Sequence, residues 1–294
     1  MCRLFGMSAA PHRVSATFWL LEAPDSLLAQ SHREPDGTGL GYFAPDGTPH
    51  IDKQPIAAFA DRAFAREGRE AQSRTFVAHV RFATSGGLTP DNTHPFQIEN
   101  RLLAHNGVIE DLAKLDAELG SYAGLVRGET DSERFFALVT KQTDAHDGDV
   151  TAGLTAAARW VARELSLYSL NVILITADEL WALRYPDSEG LFALERPAGG
   201  PHGDRRLDHS SPRRTIHVRS DELAGHPAVV LASEPMDDDP AWRLLAPGEL
   251  LHVDATLAVS STIAVDHPPR HPLALADIAP NAVSSQAGAA PHAT

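Results

Sequence analysis

The chain opens Met1-Cys2-Arg3-Leu4-Phe5-Gly6-Met7-Ser8, and Cys2 is its one cysteine. Residues 2–8 read as a short strand. A structural cysteine ordinarily sits inside a periodic apolar segment, whereas this one directly follows the first methionine. Because the cysteine side chain is small, Met1 is expected to be removed, leaving Cys2 with a free α-amine. Such an amine titrates near about 7.7–8.0, so a useful fraction is unprotonated at neutral pH. A thiol and an amine on one residue make a nucleophile that carries its own base. The plainer reading of a second-position cysteine is that it has no role. One thiol builds neither an intrachain disulfide nor a multi-thiolate metal site. It fits a reducing, cytoplasmic location.

Further along, Pro35-Asp36-Gly37-Thr38-Gly39-Leu40-Gly41-Tyr42-Phe43 is a turn leading into a strand. Its G-x-G-x-G spacing has no helix pattern after it and no Lys-Ser/Thr pair, which argues against a phosphate loop. Residues 75–83 alternate as a strand does and end at Ser85-Gly86-Gly87. The apolar run 102–104 stops at His105-Asn106-Gly107, where Asn-Gly signals a turn, and 108–119 has helical spacing. Helices are expected over 131–139, capped by Thr130 or Asp131, and over 153–165. The period then becomes strand-like, with 171–176 and 180–185 forming a hairpin about Ala177-Asp178-Glu179, and further strands at 228–233 and 249–254. Residues 197–215, rich in Gly, Pro, Arg, His and Ser, read as a long loop. Residues 280–294 read as a disordered tail. Strands, then helices, then strands is a layered sheet-and-helix order, not βαβ alternation.

The 294 residues allow one large domain or two small ones. Lys and Arg number 25 against 39 Asp and Glu, a net charge of −14, which repels nucleic acid and anionic membranes. No apolar run approaches the roughly 18 residues of a membrane helix, and no secretory signal is evident. Asp237-Asp238-Asp239 is too tightly spaced for a calcium loop and reads as a solvated acidic turn. The fifteen histidines show no H-E-x-x-H spacing, so neither a metal nor a cofactor is expected. His202, His209 and His217 are expected at the surface, and His79 and His105 in the interior beside the site.

Five segments then ask for one explanation. They are the opening Met1-Cys2-Arg3-Leu4-Phe5-Gly6, Ala78-His79-Val80-Arg81-Phe82-Ala83-Thr84-Ser85-Gly86, Asn92-Thr93-His94-Pro95-Phe96, Ala104-His105-Asn106-Gly107-Val108-Ile109, and Gly128-Glu129-Thr130-Asp131-Ser132-Glu133. In this order they resemble the class II glutamine amidotransferases, the N-terminal-cysteine branch of the Ntn hydrolases, over residues 1–140. With Ser233-Glu234-Pro235-Met236, Trp242 and Pro247-Gly248-Glu249, the likeness extends to about residue 255. It favours the compact stand-alone subgroup that includes the ergothioneine-pathway amidohydrolase.

The resemblance implies an α+β fold, the four-layer αββα sandwich, in a single domain over 1–279. It implies Cys2 as nucleophile, with the Asn106 side chain and the Gly107 backbone N–H as oxyanion hole. Arg81 would clamp the substrate α-carboxylate and Asp131 its α-ammonium, with Thr84 and His94 supporting the pocket. The activity implied is hydrolysis of glutamine or a γ-glutamyl amide through a γ-glutamyl thioester. The alternative is a subunit that passes ammonia to a separate synthase, and a homodimer is compatible with either. Thr38 stands where the subgroup often has an aromatic residue. The chemistry is coherent without the family: a γ-glutamyl head carries one carboxylate and one ammonium, so its site needs one fixed cation, one fixed anion and a nucleophile. The leaving amine is specified by nothing in these motifs. Residues 197–215, with Arg205, Arg206, Arg213 and Arg214, are the candidate loop for it, against the plainer reading of a solvated loop.

Overall fold

Alternation in the first strand sets the layering. In β1 (Arg3–Ser8) Phe5 and Met7 enter one core while Leu4 enters another, as the period of two in a strand requires. A Cβ on Gly6, on the Leu4 side, would lie 2.8 Å from Ile173 of a facing sheet. A one-residue slip would exchange these faces throughout, so the register is strongly specified. The computed structural model describes residues 2–82, 87–199, 207–210, 217–220 and 225–278.

After β1 come β2 (Gly37–Phe43), β3 (Pro49–Gln54), α1 (Arg62–Glu70), β4 (Thr75–Arg81), β5 (Phe96–Ile98) and β6 (Arg101–Ile109). Three helices follow: α2 (Leu112–Leu119), α3 (Asp131–Ala145) and α4 (Val150–Glu164). The remaining principal strands are β7 (Ser166–Ile175), β8 (Leu180–Leu183), β9 (Phe192–Arg196), β10 (Ala228–Ala232), β11 (Glu249–Val253) and β12 (Val259–Ile263). One sheet runs β9-β10-β1-β4-β2-β3, with the short strand Arg243–Leu244 outside β9; the other runs β12-β11-β8-β7-β6-β5. Pairing within both is antiparallel. His271–Pro272 adds a parallel pair beside β7.

Leu4, Val77, Leu102, Ala104, Ile173 and Leu251 fill the space between the sheets. Phe5, Met7 and Phe76 pack outward against Trp19, Leu27 and Phe64. Leu103, Val172 and Leu174 pack outward against Phe135, Leu138, Leu154 and Val161 of α3 and α4. The result is the expected α+β sandwich, two facing sheets with helices on both outer faces.

Some local expectations are corrected. Asn106-Gly107 is not a turn. It lies inside β6, with Asn106 opposite Asn171 and Gly107 opposite Leu170. Pairing along β7 overrides the local propensity, and the glycine is there for space: a Cβ on Gly107 would lie 1.8 Å from the Ser169 carbonyl oxygen. The chain turns later, at Asp111, whose φ is 61°, so the helix expected from 108 begins at Leu112. The helix α1 was not anticipated. Asp61 caps it by accepting from the N–H groups of Ala63 and Phe64, but its Arg- and Glu-rich sequence shows the core only Phe64 and Gly68.

The glycine stripe of β2 is no ligand loop either. A Cβ on Gly39 would meet the His94 carbonyl oxygen at 1.9 Å. The stripe lets the 93–95 segment lie directly on the first sheet. Within the expected loop 197–215, Leu207–Ser210 pairs with His217–Ser220. Arg205, Arg206, Arg213, Arg214 and His202 lie outside the described residues, as does the tail from 280, and nothing is described of the His209 and His217 side chains.

Candidate active site

Antiparallel pairing brings the start of β1 beside the end of β4, with Arg3 opposite Val80. The start of β2 lies beyond, with Gly37 opposite Arg81. Cys2, one residue before β1, therefore meets the end of β4. The Phe82 N–H reaches its sulfur at 3.3 Å, and the sulfur lies 3.4 Å from the Phe82 carbonyl oxygen. Burial pushes the Cys2 thiol up to about 11, against the opposing pull of the Phe82 N–H and Arg81.

Arg81 shares the inner face of β4 with Val77 and His79 and is only 4% exposed. Its Nη1 donates to the Gly87 carbonyl at 3.1 Å. Burial lowers its pKa, and Cys2, Asp36 and Asp131 draw it back up, so it lies in the field of both the thiol and the Asp131 carboxylate. Asp131 begins α3, behind the cap formed by Thr130 Oγ1, which accepts from the Glu133 N–H at 3.2 Å. One carboxylate oxygen accepts from the Ser132 N–H and the other from the Ile109 N–H, each at 2.9 Å. The helix N-terminus favours the negative charge held there.

Asn106 is 2% exposed. Leu102 and Ala104 place the even positions of β6 between the sheets, so Asn106 faces the inter-sheet space, against which β1 and β4 are packed. His94 is buried on the 93–95 segment; its ring lies 4.2 Å from that of His79 and 4.6 Å from Phe96. Neither His94 ring nitrogen has a hydrogen-bond partner among the described residues. Burial lowers His94 well below its usual range, and burial with Arg81 lowers His79 to about 3. Both rings are neutral at pH 7. Thr84 lies outside the described residues.

The sequence reading gave no role to a charged cluster behind Cys2. Arg3 donates to the Cys2 carbonyl at 3.2 Å, lies 3.5 Å from the fully buried Glu34, and pairs with Glu234. The signal was a single arginine heading an otherwise apolar strand. Asn92, which begins the Asn92–Phe96 motif, is buried. Its side chain clasps Glu129, accepting from the Glu129 N–H at 2.8 Å and donating to its carboxylate at 3.2 Å. This joins the segment after Arg81 to the one before Asp131. Among the described residues no group of three or more His, Cys, Asp or Glu could hold a metal ion, and no helix is long and apolar enough to cross a membrane.

The model of the family described as class II glutamine amidotransferases matches residues 1–275. The chain belongs to that family. It is 27% identical over 274 residues to the gamma-glutamyl-hercynylcysteine sulfoxide hydrolase of Mycolicibacterium smegmatis, covering 88% of this chain and 99% of that one. It is 28% identical over 239 residues to the glutamine–fructose-6-phosphate aminotransferase of Gluconobacter oxydans, covering 79% of this chain but 34% of the other. In fold it matches the glutamine phosphoribosylpyrophosphate amidotransferase of B. subtilis with a TM-score of 0.62 at 17% identity, over 91% of this chain and 50% of that one. This family member is thus an enzyme of the glutamine amidotransferase kind, with the fold of the amidotransferase it matches.

Proposed function

We propose that this family member is an N-terminal-cysteine amidohydrolase acting on glutamine or a γ-glutamyl amide. The observation that supports it most directly is the contact of the Cys2 sulfur with the Phe82 N–H at 3.3 Å, which sets the thiol at the end of β4 next to the buried Arg81, with Asp131 buried as well. A buried cation and anion beside one thiol match the two charges and the reactive carbonyl of a γ-glutamyl head.

In this reading Met1 is removed and the Cys2 α-amine takes the thiol proton as sulfur attacks the amide carbon. The Asn106 side-chain N–H and the Gly107 N–H hold the oxyanion; losing one such donor costs about 2.7–4 kcal/mol of barrier. The ammonium returns the proton to the leaving nitrogen, the C–N bond breaks and a γ-glutamyl thioester remains. Water, deprotonated by the same amine, then attacks the thioester, and Cys2 leaves with its proton restored. Arg81 holds the substrate α-carboxylate through its planar fork and Asp131 its α-ammonium. His94 supports the head pocket, and its motif position gives Thr84 a supporting part as well. Residues 1–279 form one catalytic domain, working in the cytoplasm without cofactor or metal.

The leaving group to assay first is hercynylcysteine sulfoxide, because a relative matched over nearly its whole length is named for hydrolysing its γ-glutamyl amide. A second reading, ammonia delivery to a separate synthase, is favoured by likeness to longer synthases of which this chain spans only a third to a half. Purified enzyme and Cys2→Ala are compared for glutamate release from glutamine and a panel of γ-glutamyl amides. Release by wild type alone supports the proposal, and equal release by both refutes it. Release from glutamine that rises only when a partner is added favours the second reading.

A further inference from the structure

His105 is a buried titratable group that the proposed chemistry leaves unused. Its neighbours in β6 divide by face: Leu102 and Ala104 enter the core between the sheets, Leu103 the core under the helices. His105 therefore points to the helix side while Asn106 points inward, and the His105 ring lies 6.4 Å from that of Phe135 on α3. One ring nitrogen, Nε2, is 3.2 Å from the Ser169 carbonyl oxygen on β7; the other, Nδ1, is 2.9 Å from Ser132 Oγ on α3. A carbonyl oxygen only accepts, so Nε2 carries the proton. Nδ1 is then bare and accepts from the Ser132 hydroxyl at 2.9 Å, the shorter of that hydroxyl's two contacts, the other being Asp131 Oδ1 at 3.3 Å. A neutral imidazole satisfies both contacts.

Each contact leads to a part of the proposed site. The Ser169 carbonyl oxygen is the atom that a Cβ on Gly107 would strike, and Ser169 Oγ donates to the Asn106 carbonyl at 3.2 Å. Ser132 follows Asp131 and donates its backbone N–H to that carboxylate at 2.9 Å, while Ile109 of β6 holds the other oxygen. We propose that His105 is a positioning residue that ties the Asn106–Gly107 strand to the helix end bearing Asp131. One ring thus sets both the oxyanion donors and the anchor for the substrate ammonium. The inference rests on the reading of Asp131, Asn106 and Gly107 given above.

The two functions separate because the two nitrogens do. Gln at 105 places an amide N–H near the site of Nε2 and loses the acceptor for Ser132. Asn places an amide oxygen near the site of Nδ1 and loses the donor to Ser169. With a buried hydrogen bond worth about 1–1.5 kcal/mol, each loss is read as roughly tenfold. His105→Gln and Ser132→Ala raise KM about tenfold with kcat held within about threefold. His105→Asn lowers kcat about tenfold with KM held within about threefold. A merely structural role lowers the active fraction in all three, moving kcat alike and leaving KM unchanged, and that result overturns the proposal.

A second measurement does not depend on turnover. In ¹⁵N-histidine spectra of the full chain at pH 7, His105 shows a protonated Nε2 and a bare Nδ1. Saturating glutamate shifts this resonance in wild type and leaves it in place in Ser132→Ala. A proton found on Nδ1, or no glutamate shift in wild type, overturns the proposal. Equal glutamate release by wild type and Cys2→Ala instead overturns the underlying reading of the enzyme, and the two failures are distinct.

Discussion

Gly107→Ala tests the oxyanion strand by distance alone. The added Cβ would lie 1.8 Å from the Ser169 carbonyl oxygen and 2.5 Å from His105 Nε2, where ordinary contact begins at 3.4 Å. Two paired strands must part by about 1.6 Å, or residue 107 must move toward the inter-sheet space by as much. Neither obstacle is a flexible chain end: one is backbone and the other a ring held at both nitrogens. Overpacking of this kind costs about 1–3 kcal/mol of stability. A donor displaced by more than 1 Å loses most of its hold on the oxyanion, so kcat should fall about 10²–10³-fold. The assay is glutamate release per folded molecule, with the folded fraction fixed by circular dichroism and the midpoint by urea. Gly124→Ala is the control, since its Cβ would meet nothing within 4 Å. A folded Gly107→Ala enzyme with more than about a third of wild-type kcat would refute the reasoning.

Arg81→Ala and Asp131→Ala should each lower kcat/KM for every γ-glutamyl amide alike, by the equivalent of about 2–5 kcal/mol, because each strands a buried substrate charge. Loss confined to some amides would show that these residues do not hold the head. His79 is held near 3, below its unfolded value of about 6.5. The unfolded chain therefore binds the extra proton between those values, so stability is full above about 6.5 and falls with pH toward 3, at about 1.4 kcal/mol per unit. Urea midpoints measured from pH 7 to 4 should decline, and His79→Phe should flatten the slope; an unchanged slope would count against the neutral ring. The pH profile of kcat/KM should rise with a group near 7.7–8.0, the α-amine, and a species retaining Met1 should be inactive. Full activity with Met1 intact would remove the amine from the mechanism.

The strand expected at 75–83, the helices expected at 131–139 and 153–165, which run over 131–145 and 150–164, and the layered order were legible because period and capping act locally. Cys2 stood out by its position behind the first methionine, while Arg81 and Asp131 were singled out only by the likeness of their motifs to the family. Asn106-Gly107 misled because its local preference is a turn, while partners some sixty residues away hold it extended. The glycines of β2 likewise answer to a segment crossing them more than fifty residues later, invisible to any window. The roles of His105, Ser132 and Ser169 exist only once β6, β7 and α3 are assembled. Arg3, Glu34 and Glu234 come together from three distant parts of the chain in the same way.

The central claim is that Cys2 forms the acyl bond. Wild-type enzyme is mixed with a reactive γ-glutamyl amide and quenched in acid within the first turnover, and the peptides are mapped by mass. A γ-glutamyl adduct on the peptide beginning at Cys2, absent from Cys2→Ala and lost on return to neutral pH, is the predicted result. An adduct on any other residue, or glutamate release by Cys2→Ala at the wild-type rate, would contradict the account.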